Sequence, residues 1–502
     1  MRHKILLIGL LLIAFSSNAQ KHPYQKKFKK VDTYVENMLK EWNIPGLALA
    51  IVYKDQLIYG KGYGFRDLEN KLPVTAATLF PIASNTKLFT ATLATQLAQE
   101  GKLSLDKPVR NYLPALNFYN DELNTKVTLR DMLSHRTGLP SYDGIWINSQ
   151  FKRADILNKI SYMKPALGFR EGYIYNNNMF TTAGVAIEAV TGKSWEDNVI
   201  ERIFKPLAMN HSGFFMDGVR SDNYSLSYFE PDSTDRLMAK KYSSQSAALG
   251  PAGTIKSNME DMSHWMIAQL NGGKYEGRQV IPAEAIAETM VPNAISDKRG
   301  RYEELSNSIY ALGRSLQTYK GNKIVSHTGS IDAFYSNLTF LPKESIAIFM
   351  VHNLSSAGSL RSVMSLPVID ILLGEPETPW SSRYRKEYLD GKARQKKSTD
   401  SIKRIQVKDT KTSHSLQDYA GTYHHPVYGD IKIEKKGENL FALFRSLNLK
   451  LHHFHYDQFI TIEEGNDNPD LRLNFYTNNK GEIDRISTQP FGDPLTEFLR
   501  KR

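Results

Sequence analysis

The chain has 502 residues, 41% of them hydrophobic, which is enough for a large core and two folded domains. It contains no cysteine, which excludes a disulfide framework, a thiol nucleophile and Cys-ligated zinc or iron–sulfur clusters. The formal charge is +11, but residues 383–411 alone carry 11 Lys/Arg against 4 Asp/Glu. Such a run reads as a solvated connector or exposed helix, not as the folded basic face with interleaved aromatics that nucleic acid requires.

In chain order, "MRHK" is a basic start, "ILLIGLLLIAF" an apolar run and "SSNA" a small-residue end. This is the pattern of a secretory signal peptide over residues 1–19, cut after Ala19. The apolar run is short for a membrane span, and no cysteine follows it to carry a lipid. The expectation is a periplasmic or secreted protein with no stable membrane insertion after cleavage. Residues 30–42 follow as an amphipathic helix, with Val31, Tyr34, Val35, Met38 and Leu39 on one side. "GLALAIVYKDQLIYGKGYGFRD" then alternates around Lys54-Asp55 as a β-hairpin. A long helix, "SNTKLFTATLATQLAQEG", is closed by Gly101.

Residues 105–290 are mostly helical in pattern, broken by loops. Within them Ser257 and Glu260, three apart, have the spacing of a capping box. Strand-like runs return in "IVSHTGSIDAFYSNLTFLP" and "IAIFMVHN", followed by a helical 358–374. The whole reads as an α+β domain over 25–376: an antiparallel sheet completed from both ends of the domain, flanked by helices, with a helical insert beside it. A basic linker or helix occupies 377–413, and short strands with turn signals make 414–502 a small antiparallel β-domain.

The chemistry centres on "PIASNTKLFT", where Ser84 stands three residues before Lys87. A serine hydroxyl needs a nearby base to attack, and positions three apart share one face of a helix. A lysine serves as that base only if burial and its neighbours hold it partly neutral. The same spacing also begins at Ser104, Ser149 and Ser161, but in polar or loop-like settings, one broken by Pro108. Tyr175 and Asn177 sit where a loop enters an apolar helix; a tyrosine near a cationic lysine can carry a lowered pKa and relay a proton, and an asparagine can orient a substrate amide. His327, Thr328, Gly329 and Ser330 begin a strand, where glycine lets a ligand approach the backbone and the Ser330 N–H can join that of Ser84 in binding an oxyanion. In "LHHFHYDQF", His453, His455 and Asp457 share one strand face by period-2 spacing, which suits either a metal or an ordinary polar face; no fourth ligand is evident. No cofactor or metal is expected.

These three elements, in this order, resemble the serine β-lactamase and penicillin-recognising enzymes, in their class C-like branch. The flanking text agrees, including "IPGLALAIV", "VTLRDMLSHRTGLPSY" and "YIYNNNMFTTAGVAIEAVTGKSWEDNVIERIFKPLAMNHSGF". The resemblance implies a β-lactamase/transpeptidase-like fold. It implies Ser84 as acylated nucleophile, Lys87 as its base partner and Tyr175 as general base or proton relay. Asn177 would hold substrate and His327, Thr328 and Gly329 would line the third edge. His135, in "LSHRTGLP", is read as structural, and Trp146 as lining a binding cleft. The histidine of "HTG" replaces the lysine usual in β-lactamases and looks more like D,D-peptidase and esterase relatives. The C-terminal region resembles the β-barrel-like domain often appended to such hydrolases. The expected activity is hydrolysis of esters or D-amino-acid peptides and amides, with weak or no β-lactam turnover, on a small-molecule or peptide substrate that includes cell-wall-derived ligands. An acyltransferase and a non-catalytic binding or sensing protein are the rival readings.

Overall fold

A computed structural model describes residues 22–147, 149–214, 222–231, 236–240, 247–298, 300–461, 471–490 and 493–501. The expected signal peptide lies outside the described residues. The alternation of "GLALAIVY" and its equivalent in "IAIFMVH" decides the layering. Strands Gly46–Tyr53 and Ile346–His352 pair antiparallel in the interior of a nine-stranded sheet, and both of their faces are covered. Period-2 alternation sends Leu47, Leu49, Ile51, Ile348 and Met350 to one core and Ala48, Ala50, Val52, Phe349 and Val351 to the other.

The first core is closed by helix Phe28–Trp42, which buries Phe28, Val31, Val35, Met38 and Trp42 at helical spacing, and by helix Leu366–Leu373. The second receives the helical insert. The chain leaves the sheet after strand Leu72–Pro73 and rejoins it at Ala294–Asp297, so the sheet is built from both ends of the domain. Helix Thr86–Gln99 runs through the middle of this layer with residues 86–97 all buried, which is why it shows no polar face. Phe89 stacks on Trp265 with centroids 4.0 Å apart, and each such buried side chain contributes roughly 1.5–3 kcal/mol of transfer free energy.

Two local expectations are corrected. Ser257 ends a short strand, Ile255–Ser257, and the helix Met259–Leu270 is capped by Asn258, whose side chain accepts from the Asp261 N–H. Asparagine one place on offers the same cap with the chain still extended, so the strand keeps Ser257. Asp457 does not continue the face of His453 and His455: strand Leu447–His455 ends there, and Tyr456 turns at φ +46°. His453 bonds the Tyr456 carbonyl, His455 accepts from the Val407 N–H, and Asp457 accepts from Ser413 and Tyr419.

The basic stretch is one helix, Trp380–Ile405, anchored where buried Trp380 donates to the Tyr319 hydroxyl at 3.0 Å and Arg383 pairs with Glu304. Beyond it, eight antiparallel strands from Gly421–His425 to Thr496–Arg500 close into a barrel. Its interior is filled by Tyr419, Tyr423, Phe444, Phe459, Phe475 and Phe498 with aliphatic neighbours. No single helix among the described residues is long and apolar enough to cross a membrane.

Candidate active site

Ser84 sits in a single 3-10 turn, Ala83–Asn85, that feeds straight into helix Thr86–Gln99. Ala83 takes φ +50°, an unfavourable conformation for a residue with a Cβ, and the surroundings enforce it. Ser336 donates to the Ile82 carbonyl at 2.7 Å and accepts from the Asn85 amide at 2.8 Å. Gly329, on strand Asn322–Ile331, closes the other side: a Cβ there would lie 2.4 Å from both the Ile82 carbonyl oxygen and the Ser336 hydroxyl. The glycine is therefore what lets the strand reach the serine turn. Two residues in the left-handed region, Asp332 and Ala333, form the hairpin loop. Ser330 consequently stands opposite Tyr335 at a non-hydrogen-bonded position, with its N–H turned away from the partner strand.

Lys87, one turn after Ser84 and the second residue of helix Thr86–Gln99, is fully buried. Its Nζ is 3.2 Å from Ser84 Oγ, 2.6 Å from Asn177 Oδ1 and 2.7 Å from the Ala252 carbonyl oxygen. Tyr175 and Phe180 hold their rings 4.8 and 5.3 Å from the same nitrogen. Burial pulls the Lys87 amine down to about 7, while Asp143 pulls weakly the other way. In the neutral amine, the two N–H groups are taken by the Asn177 and Ala252 oxygens, and the lone pair is left facing Ser84.

Tyr175 hydrogen-bonds Ser84, but its hydroxyl is held well above the ordinary phenol value, first by burial. The sequence reading of a tyrosine made acidic by the lysine is therefore corrected: burial outweighs the nearby charges, and Lys87, pulled down to about 7, carries only part of its charge at neutral pH. Tyr175 precedes Asn176, the N-cap of helix Asn177–Thr191, whose own N–H is held by buried His135 at 3.1 Å. His135 packs against Tyr173, Tyr175, Phe180 and Tyr310, in the role of a positioning ring.

Asn177 is also placed differently from expectation. Its Oδ1 is engaged by Lys87 and its Nδ2 donates to Asp143 at 2.9 Å, so its amide orients the amine and is not left to the substrate alone. Asp143 also accepts from Trp146 Nε1 at 3.2 Å, and burial raises its carboxyl. No motif reading found Asp143; its part depends on a loop folding back across the helix entry. His327 donates through Nδ1 to the Thr328 carbonyl at 2.6 Å and accepts from Tyr310 at 2.9 Å. Burial pushes it down to about 3, so it is a neutral ring in this cleft.

Ser84, Tyr175, Asn177, His327, Thr328 and Ser330 line one cleft of about 490 Å³, and Gly329 forms the contact beneath it. Asp143, Trp146 and Arg361 complete its rim. The three sequence elements, separated by about ninety and one hundred and fifty residues, thus meet at a single serine.

The family model described as Beta-lactamase matches residues 31–365. The chain belongs to the beta-lactamase family. Members of this family are typically serine hydrolases. A second model, described as a domain of unknown function (DUF3471), matches residues 406–499. Among relatives, Protein flp of Staphylococcus aureus is 27% identical over 333 residues, 65% of this chain and 63% of its own length. The chain thus spans less than two thirds of that relative. The Unguisins hydrolase ungD' of Aspergillus campestris is 27% identical over 429 residues, covering 82% of this chain and 78% of the relative. The octameric penicillin-binding protein homologue from Pyrococcus abyssi superposes with a TM-score of 0.62 at 22% identity, over 94% of this chain and 99% of that one. The beta-lactamase fold and the C-terminal barrel are therefore shared by this chain.

Two substitutions test the cleft. Gly329→Ala pushes a Cβ into the Ile82 carbonyl and should separate the Ser330 N–H from Ser84. We expect about a 10²-fold loss in the rate of acylation and a lower melting temperature, read by stopped-flow acylation and calorimetry. Tyr175→Phe keeps the ring against Lys87 and removes only the hydroxyl. We expect a loss of about 10²-fold in turnover with KM nearly unchanged, checked by steady-state kinetics.

Proposed function

We propose that the chain is an exported serine hydrolase that forms an acyl-enzyme on Ser84 and cleaves esters or D-amino-acid peptides and amides. The observation that carries this reading is the fixed amine: Lys87 Nζ is held by the Asn177 and Ala252 oxygens 3.2 Å from Ser84 Oγ, so that its neutral form can turn a lone pair to the hydroxyl. Lys87 takes the Ser84 proton as Oγ bonds to the substrate carbonyl carbon, and the carbonyl oxygen gains negative charge against the N–H groups of Ser84 and Ser330. The leaving group departs with a proton returned from Lys87, relayed by the Tyr175 hydroxyl. Water then repeats the sequence to release the acid.

His327 gives the cleft no charge, so among the described residues lining it a β-lactam carboxylate finds one cation, Arg361 on the rim. This supports slow acylation by penicillin and weak or no turnover of it. Export rests on the pattern of residues 1–19.

The test is product analysis with a p-nitrophenyl ester, a D-Ala-D-Ala peptide and penicillin, each with and without added alcohol or amine. The reading predicts free acid from the ester or the peptide, and a slowly released penicillin adduct. Acyl transfer that never competes with water would make the protein an acyltransferase instead. Absence of any adduct would favour a binding protein.

A further inference from the structure

The loop that supplies Asp143 and Trp146 is gripped from outside by the barrel. Asp493 is 4% exposed and lies between the last two barrel strands, Ile483–Thr488 and Thr496–Arg500. Its carboxylate accepts from the backbone N–H of Asp143 at 3.1 Å, from that of Gly144 at 2.7 Å and from the Tyr428 hydroxyl at 2.9 Å. Arg445, from the turn between strands Asn439–Phe444 and Leu447–His455, donates to the carbonyls of Gly144 and Ile147 and to that of Tyr428 at 3.3 Å. One barrel carboxylate and one barrel guanidinium therefore take both donors and acceptors of the same short turn. Lys159 adds a bond to the Pro426 carbonyl at 2.8 Å.

From that turn the contacts run inward without a gap: Asp143 to Asn177 at 2.9 Å, Asn177 to Lys87 at 2.6 Å, Lys87 to Ser84 at 3.2 Å. Without the barrel, the part-buried N–H of Asp143 and the buried N–H of Gly144 would be left without their acceptor, and nothing else among the described residues is bonded to them. We propose that the C-terminal barrel is a working part of the active site, in which Asp493 and Arg445 are positioning residues that hold the loop 141–147 so that Asp143 and Asn177 fix the Lys87 amine. This rests on Ser84 and Lys87 being the reacting pair.

The experiment uses the full chain with Asp493→Asn, Asp493→Glu, Arg445→Met, Asp143→Asn, the Asp493→Asn/Asp143→Asn double variant and the barrel-surface control Glu434→Gln. Two readouts are taken: the acylation rate with a p-nitrophenyl ester, and acrylamide quenching of tryptophan emission. Trp146 is partly exposed whereas Trp42, Trp195, Trp265 and Trp380 are fully buried, so quenching reports the loop without any turnover. Asp493→Asn places an amide N–H group against two N–H donors. It should slow acylation about ten- to hundred-fold and raise the quenching constant at least two-fold. Asp493→Glu should recover part of both, Glu434→Gln should match the parent, and the double variant should be no slower than the slower single one.

The proposal is overturned if folded Asp493→Asn keeps the parent's rate and quenching, if its rate falls with quenching unchanged, or if its effect adds to that of Asp143→Asn. Should Asp493→Asn fail to fold, Arg445→Met is judged by the same two readouts. A parent that is never acylated overturns the hydrolase reading, and the loop clamp is then decided by quenching alone.

Discussion

Lys87→Met lowers the rate of Ser84 acylation by roughly 10³ to 10⁴-fold, the usual share of a positioned base. Methionine fills the same apolar channel beside Tyr175 and Phe180 but offers no lone pair for the Ser84 proton. The parent should show an acid limb with a midpoint near pH 7: Lys87 is charged below that pH and cannot accept, so the rate falls about tenfold per unit, and it levels off above. The variant loses this limb. Stability moves the opposite way. The folded-state pKa of about 7 lies below the ordinary 10.5, so between these values the unfolded chain binds more protons than the folded one. Stability therefore rises with pH across that window, and Lys87 is most costly below pH 7. Lys87→Met should accordingly raise the melting temperature by several degrees at pH 6 and by little at pH 10.5, checked by calorimetry at both.

Ser84→Ala should abolish acyl-enzyme formation and reduce turnover by roughly 10⁴-fold or more. The loss differs in kind from that of Lys87→Met. Removing Oγ leaves Lys87 with its bonds to Asn177 and the Ala252 carbonyl, and leaves the strand contact of Gly329 in place. Substrate should then bind with an affinity close to the parent's while no covalent adduct appears. Equilibrium binding of an unreactive product, measured on the parent and on Ser84→Ala, checks that separation. An equal loss of binding would mean that Ser84 serves to hold ligand and not to attack it.

How much of this was readable depends on how far apart the partners lie in the chain. Ser84 and Lys87 are one turn apart, so their pairing follows from helix geometry alone. The central strands were legible from period-2 alternation, because a sheet covered on both faces still sends alternate residues to two different cores. Tyr175 and His327 could be picked out only through the family's order of motifs, since nothing local marks either one. The contacts of Asn177 with Lys87 and Asp143 were not legible, because what an amide bonds is set by what the fold brings to face it. Asp143 was invisible: its backbone N–H is bonded by Asp493, 350 positions away, a partner that no local pattern reveals. Tyr175 shows the same limit, since the direction of its shift is decided by burial that no spacing reveals. The cap of helix Met259–Leu270 was displaced by one residue because the preceding strand claimed Ser257.

Intact mass of the purified protein and of Ser84→Ala, after brief exposure to a p-nitrophenyl ester, a D-Ala-D-Ala peptide thioester and penicillin, tests the central claim most directly. A mass gain equal to the acyl group in the parent, absent from Ser84→Ala and mapped by digestion to the peptide holding Ser84, is the result predicted by a neutral Lys87 aimed at that hydroxyl. An adduct of the same size in both proteins, or none with any reagent, would contradict it.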